Sequence, residues 1–243
     1  DPGRVSVDFD DDADTLTVTN TRAFPITFSC ELTRVLNVAQ KPAPGFQEAL
    51  APGESFTVRS KKRGPGEKDF GYHWAWETGD WRATHDPGAH YLLPWSEGRF
   101  EVIQTWSGSH SHAEQHAVDV AMPVGTEIRA SRAGRVIAIE DGWPEGGPDR
   151  RWIDEVNVIR ILHADGTYAS YVHLQAGGMK VALGDEVQAG QPIGLSGNSG
   201  WTTAPHLHFV VRSALDAWVP RSHPARFDVD GQPVMLTRGR SYP

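Results

Sequence analysis

Short runs in which apolar and polar residues alternate, separated by clusters of Gly, Pro, Asn and Asp, recur along the whole of this chain. Successive side chains of an extended strand leave opposite faces, so a period of two marks strands with one buried face. In the N-terminal part the runs Val5–Phe9, Leu16–Asn20, Pro25–Cys30, Ser55–Arg59 and Gly71–Trp76 obey this rule, with a turn at Ala51–Glu54. Together they predict a small immunoglobulin-like β-sandwich over residues 1–85. Turn formers between Thr84 and His90 predict a break, with a linker over 86–100. Beyond it, Glu127–Ala130, Arg135–Glu140, Val156–Leu162, Tyr168–Leu174, Gln191–Leu195 and His206–Val211 alternate in the same way, with a turn at Ala164–Thr167. No helical period competes. The predicted fold class is therefore all-β: the sandwich, an antiparallel β-sheet domain over 101–215, and a C-terminal extension over 216–243.

Composition narrows the partners more than the chemistry. A chain of 243 residues with 39% hydrophobic residues, 17 Pro and 25 Gly suits one large or two modest turn-rich β domains. It holds no apolar stretch long enough to span a membrane as a helix. A net charge of −8 argues against nucleic acid as a partner, because phosphate binding needs a basic face. Cys30 is the single cysteine, which rules out an intrachain disulfide. It sits in an alternating run and reads as a small core residue rather than a nucleophile. The first residues show no charged-then-apolar leader, which suits a cytosolic protein or a mature exported one.

The candidate chemistry lies in the second half. His206 and His208 are two apart, so an extended strand delivers both imidazoles to one face. With the carboxylate of Asp119 they offer nitrogen and oxygen donors of the kind that suit zinc, whose catalytic sites take three protein ligands and leave a fourth position for water. His173 stands on a further alternating run between them. The glycine-rich run Ser196–Gly200 lacks the lysine and following helix of a phosphate loop and reads instead as a bend that aims the His206/His208 pair.

Taken in order, Asp119–Thr126, Ala133–Val136, His163–Tyr168, Tyr171–Leu174, Gly184–Gln191, Ser196–Gly200 and Pro205–Phe209 resemble the lysostaphin-type (LytM-type) zinc peptidases of bacterial cell walls, over about Gln104 to Arg212. The resemblance implies a peptidase domain with an open groove, one Zn2+ ion, and a peptidoglycan peptide as substrate. It also implies a monomeric protein that is secreted or periplasmic. It aligns Asp119 and His208 with metal ligands, and His173 and His206 with the family's catalytic, non-ligand pair. His163, before a turn, reads as structural.

One position departs from the family's usual pattern of a histidine four residues before the aspartate, because residue 115 is Gln. His116, three before Asp119, points to the opposite face of a regular strand. Some relatives carry a Ser-His pair just upstream, so His112 is the first choice for the third ligand, ahead of His116 and His110. Trp201, next to the histidine pair, is the candidate substrate contact, ahead of Trp143 and Trp152. Loss of a ligand instead implies a catalytically inactive regulator or binding module of the same fold, and a carrier domain needs none of the histidines.

Overall fold

The computed structural model describes residues 5–10, 13–41, 46–106 and 112–243. They form two compact units, the first up to Ala83 together with Ser213–Arg221, the second Thr84–Arg212 together with Ser222–Pro243. Both are built from β-sheet. His110, one of the alternatives for the third ligand, lies outside the described residues.

The first unit holds β1 (Val5–Asp10), β2 (Thr15–Asn20), β3 (Ile26–Leu36), β4 (Val38–Lys41), β5 (Phe46–Leu50), β6 (Ser55–Lys62) and β7 (Asp69–Thr78). They pair as two sheets, β1-β2-β6-β4 and β5-β3-β7. The alternation is visible in β2, where Leu16, Val18 and Asn20 are buried and the threonines between them are not. The sheets meet face to face: the Phe46 and Phe56 rings lie 5.3 Å apart, and Tyr72 Oη donates to Ser60 Oγ at 3.3 Å. Asn20, fully buried, is satisfied by donating to the carbonyls of Phe24 and Leu50, both at 2.9 Å. Cys30 is fully buried, and burial, with the nearby Glu31 charge, pushes its thiol up to about 12, which makes it inert as a nucleophile.

The second unit contributes β8 (His90–Leu92), β9 (Phe100–Gln104), β10 (Ala117–Ala121), β11 (Glu127–Arg129), β12 (Gly134–Glu140), β13 (Gly146–Gly147), β14 (Val158–Leu162), β15 (Tyr168–Val172), β16 (Glu186–Val187), β17 (Pro192–Leu195), β18 (Gly200–Trp201) and β19 (His206–Ala214). The chain then adds β20 (Pro220–His223), β21 (Arg226–Val229), β22 (Gln232–Val234) and β23 (Ser241–Tyr242). The main sheet runs β16-β12-β14-β15-β19-β10-β9-β23, with β20 paired to β19 off this path. Its two faces differ sharply. Ile159, Ile161, Ala169, Tyr171, Leu207, Phe209 and Val211 enter the hydrophobic core, while the intervening Val158, Arg160, Ser170, Val172, His206 and His208 line an open groove. Strand alternation alone separates the two sets.

Three stretches differ from expectation. Residues 86–100, expected as a linker, carry β8 and bury Tyr91 and Trp95 at 0% and 3% exposure, because β8 pairs in parallel with β21 and places Tyr91 beside Phe227. Residues 216–243, expected as an extension, are split between the units. Ala225, Phe227, Leu236 and Tyr242 belong to the core of the second, and Trp95 Nε1 donates to the Pro243 carbonyl at 2.7 Å. Burying each large side chain stabilises by about 1.5–3 kcal/mol, so this tail is part of the unit's core rather than an appendage. Among the described residues a single 3-10 turn, Arg150–Asp154, interrupts the all-β pattern; the Asp149 side chain caps it by accepting from Arg151 N at 3.0 Å.

His163 is 3% exposed, with Nδ1 donating to the Ala133 carbonyl at 2.9 Å. Burial, only partly offset by that hydrogen bond, pushes its pKa down from 6.5 to about 4. The unfolded chain therefore binds a proton that the folded chain refuses. The stability held by neutral His163 is complete above about pH 6.5 and is lost as pH falls toward 4, up to about 3 kcal/mol. Denaturant midpoints measured from pH 7 to 4 are expected to fall less steeply for His163→Gln than for the wild type; parallel slopes would remove His163 as a contributor.

Candidate metal centre and groove

The candidate residues are brought together by strand register. β10 and β19 run antiparallel with Asp119 directly opposite His208 and Ala121 opposite His206. β15 flanks β19 on the other side, with Val172 opposite His208. Asp119, His206 and His208 thus share the groove face, and His208 Nδ1 lies 2.8 Å from Asp119 Oδ1. His112 reaches the same point from the segment before β10. Its Nε2 is 3.1 Å from Asp119 Oδ1 and 3.2 Å from His208 Nδ1, and the ring is fully buried.

The tautomer of His112 follows from its other nitrogen. Nδ1 lies 3.1 Å from the Thr105 carbonyl, which can only accept, so Nδ1 carries the proton and Nε2 presents a lone pair. Three possible ligand atoms, His112 Nε2, Asp119 Oδ1 and His208 Nδ1, therefore converge within 4.8 Å of one another. Ligand atoms around a tetrahedral zinc at its usual bond lengths sit about 3.3 Å apart, close to the separations here, so this donor set fits the ion.

Burial by itself would raise the Asp119 carboxyl. The close imidazoles of His112, His208 and His206 outweigh burial and hold it well below the usual carboxylate range. His208 is pushed down, chiefly by burial against the opposing pull of Asp119. The site therefore favours an ionised Asp119 beside a neutral His208, the protonation state that metal binding requires of both.

His173 occupies a position that regular strand geometry would deny it. Val172 faces the groove, so the next residue of a regular strand would turn inward. At His173 the backbone instead adopts φ +65°, the left-handed region that a non-glycine residue enters at a cost of about 1–3 kcal/mol, and the ring lines the groove. Its Nδ1 donates to the Ser199 carbonyl at 2.7 Å, which leaves Nε2 unprotonated, and burial pushes its pKa down to about 3, with further lowering by His206 and His208. His206 is held likewise, its Nδ1 2.8 Å from the Ala204 carbonyl, with Nε2 3.8 Å from Asp119 Oδ1. The two rings lie 4.5 Å apart.

His116 is elsewhere. Its ring stacks on Trp106 at 3.6 Å and its backbone N–H donates to Ser222 Oγ at 2.9 Å, outside the three-residue cluster. Gln115 accepts from Arg212 Nη2 at 2.8 Å instead of contributing a ligand. Trp201 lines the groove, with Nε1 donating to the Pro148 carbonyl at 3.0 Å and the Arg150 guanidinium 5.2 Å from the ring centre, whereas Trp143 and Trp152 are not among the lining residues.

The groove measures about 710 Å³. Its wall is built by close backbone approach: β13 pairs in parallel with β18, and a Cβ at Gly146 would stand 2.2 Å from the Asn198 carbonyl oxygen. The Ser196–Gly200 bend orients the histidines through Ser199, whose carbonyl holds His173 while its hydroxyl donates to the Leu174 carbonyl at 2.9 Å. Thr105, Ser199 and Ala204 act through their carbonyls, which no side-chain pattern reveals. The fold of the bend around Ser199 was the one signal within reach.

Comparison with known proteins matches residues 113–220 to the profile of Peptidase family M23. Lysostaphin from Staphylococcus simulans is 40% identical over 129 residues, 52% of this chain and 23% of that protein. The peptidoglycan DD-endopeptidase ShyA of Vibrio cholerae is 36% identical over 114 residues, 44% of this chain and 24% of that protein. The chain thus spans about a quarter of the length of these curated relatives. Among solved structures, the catalytic domain of lysostaphin is 31% identical, covering 47% of this chain and 78% of that one, with a TM-score of 0.34.

Because His112 belongs to the cluster and His116 stacks on Trp106, the two histidines should separate in a metal assay. Elemental analysis after dialysis is expected to show His112→Ala stripped of most bound transition metal and His116→Ala loaded like the wild type. The reverse pattern would transfer the ligand role to His116.

Proposed function

The chain belongs to peptidase family M23, the lysostaphin-type (LytM-type) metallopeptidases, and from that premise we propose that its second unit is a zinc-dependent endopeptidase that hydrolyses peptide cross-links of bacterial peptidoglycan. The peptidase domain is assigned to residues 101–215, with the tail after Ser222 completing its core. The observation that carries the reading is the convergence of His112 Nε2, Asp119 Oδ1 and His208 Nδ1 in an open groove, with two further histidines beside them. His112, Asp119 and His208 are assigned as the ligands of one Zn2+, and His173 and His206 as catalytic residues.

When bound, zinc supplies Lewis acidity, lowering the pKa of a water molecule and polarising the scissile carbonyl. The protein's own groups do the rest. His206 Nε2, unprotonated because Nδ1 is committed to the Ala204 carbonyl, takes a proton from the attacking water. The imidazolium so formed lies beside the Asp119 carboxylate, which stabilises it, and passes the proton to the leaving nitrogen as the C–N bond breaks. His173, anchored by Ser199 and facing His206, steadies the charge that develops on the carbonyl oxygen. Trp201 forms a wall along which an extended peptide lies.

A peptidoglycan substrate places the protein outside the cytoplasm, secreted or periplasmic. An inactive regulator of the same fold has no need of the two non-ligand histidines, and both line the groove here.

Purified wild-type protein is expected to hold close to one zinc and to release new amino groups from peptidoglycan. His173→Ala and His206→Ala are expected to retain zinc but lose ~10²–10⁴-fold in turnover, the usual worth of a general acid–base group. Loss of zinc in either variant would make that histidine a ligand. Wild-type protein that holds zinc yet releases nothing from several cross-link types would favour the regulator.

A further inference from the structure

The groove runs on, along the same face of the sheet, to polar side chains that the chemistry above leaves unused. Arg160 on β14 and Ser170 on β15 are directly opposite each other, and Arg212 follows His208 along β19. All three line the groove. Ser170 is 1% exposed, yet its hydroxyl has no hydrogen-bond partner, and the buried Nε of Arg160 has none either. Arg212 is steadied from the side, donating to Gln115 Oε1 at 2.8 Å, and the Arg160 guanidinium rests 6.0 Å from the Tyr168 ring centre.

The charge balance of this cleft runs against that of the chain. The chain as a whole carries −8, but among the described residues lining the groove the guanidinium groups of Arg150, Arg160 and Arg212 face one carboxylate, Asp119, which the histidines already engage. Buried donors left without acceptors are costly, and a cationic cleft with low-dielectric walls attracts an anion. Nothing in the metal cluster requires these side chains.

We propose that this end of the groove is a carboxylate subsite. Arg160 Nε and the Ser170 hydroxyl donate to a free carboxylate of the bound peptide, and Arg212 adds positive charge from the neighbouring strand. Ser170 lies opposite Val210, two residues along β19 from His208. With a strand rise of about 3.3 Å per residue and strands about 4.8 Å apart, Ser170 and Arg160 stand about 8–12 Å from His208, so the carboxylate belongs roughly two to four residues from the bond that is cut. That the ligand is a peptide rests on the peptidase reading; the subsite is built from residues outside the metal cluster. It makes the protein selective for peptides with a free carboxylate, either at the C-terminus or on an acidic side chain.

The test is equilibrium binding by fluorescence anisotropy, with hydrolysis measured separately. The probes are labelled tetra-alanine peptides in L and D series, ending in a free carboxylate or an amide, and amidated versions with Glu or Gln at the last position. The wild type is expected to bind the carboxylate member of at least one pair about 10- to 100-fold more tightly, and which pair responds identifies the source of the carboxylate. Arg160→Met and Ser170→Ala are expected to reduce that preference while leaving binding of the uncharged member unchanged. Ser170→Ala, a small change, carries the test if Arg160→Met does not fold. Equal binding within every pair by the wild type, or a preference that survives in both variants, overturns the subsite. A carboxylate preference without hydrolysis upholds the subsite and counts against the peptidase reading; hydrolysis without preference does the reverse.

Discussion

A carboxylate taken out of water must be met by positive charge or by hydrogen bonds, and the second unit is organised around how that demand is met at Asp119. The antiparallel register of β10 and β19 sets Asp119 against His208, and His112 closes the triangle from the preceding segment. A slip of one residue between these strands would send Asp119 to the core side and expose Val120, which is 1% accessible and part of the hydrophobic cluster. The hydrophobic face and the polar face therefore protect each other's register. The same polar cluster gathers one carboxylate oxygen and two imidazole nitrogens, a donor set that fits a metal ion.

His173 and His206 are held by carbonyl oxygens rather than by charges. Ser199 and Ala204 each accept from a ring Nδ1, and both rings line the groove. Both carbonyls lie on the segment between β17 and β19. That segment packs so tightly that Gly197 and Gly200 have no space for a Cβ, which would meet the Leu174 backbone at 2.5 Å and the Val156 side chain at 2.6 Å. Gly200 also adopts φ +81°, a conformation glycine enters freely. The glycines of this bend thus serve the imidazoles indirectly: they let the backbone come close enough to fix both tautomers.

The rest of the groove is electrostatically distinct from the protein that carries it. Arg150 stacks over Trp201, Arg212 is braced by Gln115, and Arg160 leans on Tyr168. Guanidinium groups supported in this way lose less freedom on binding an anion than mobile surface side chains would. The glutamine at position 115, which departs from the family's usual ligand pattern, contributes here by orienting Arg212.

Period-two alternation was enough to read the all-β class, the first-unit strands β1, β2, β3, β6 and β7, and the strand faces of the second sheet, because alternation is a local property that each strand carries by itself. It also marked His206 and His208 as one-sided and Cys30 as interior. Short or edge strands such as β8, β16 and β23 were not legible, since two or three residues hold no period, and their pairing partners lie far away in sequence: β8 with β21, β23 with β9. For the same reason the stretches 86–100 and 216–243 read as linker and tail although they fill the core. The site divides in the same way. Asp119, His206 and His208 could be nominated from spacing and residue type, but His112 lies on an irregular segment, and the placement of His173 depends on a left-handed backbone that reverses the strand rule. The direction of those two rings is decided by tertiary contacts with the carbonyls of Thr105 and Ser199, seven and 26 residues away, because a residue outside a repeating backbone takes its direction from the partner that satisfies it.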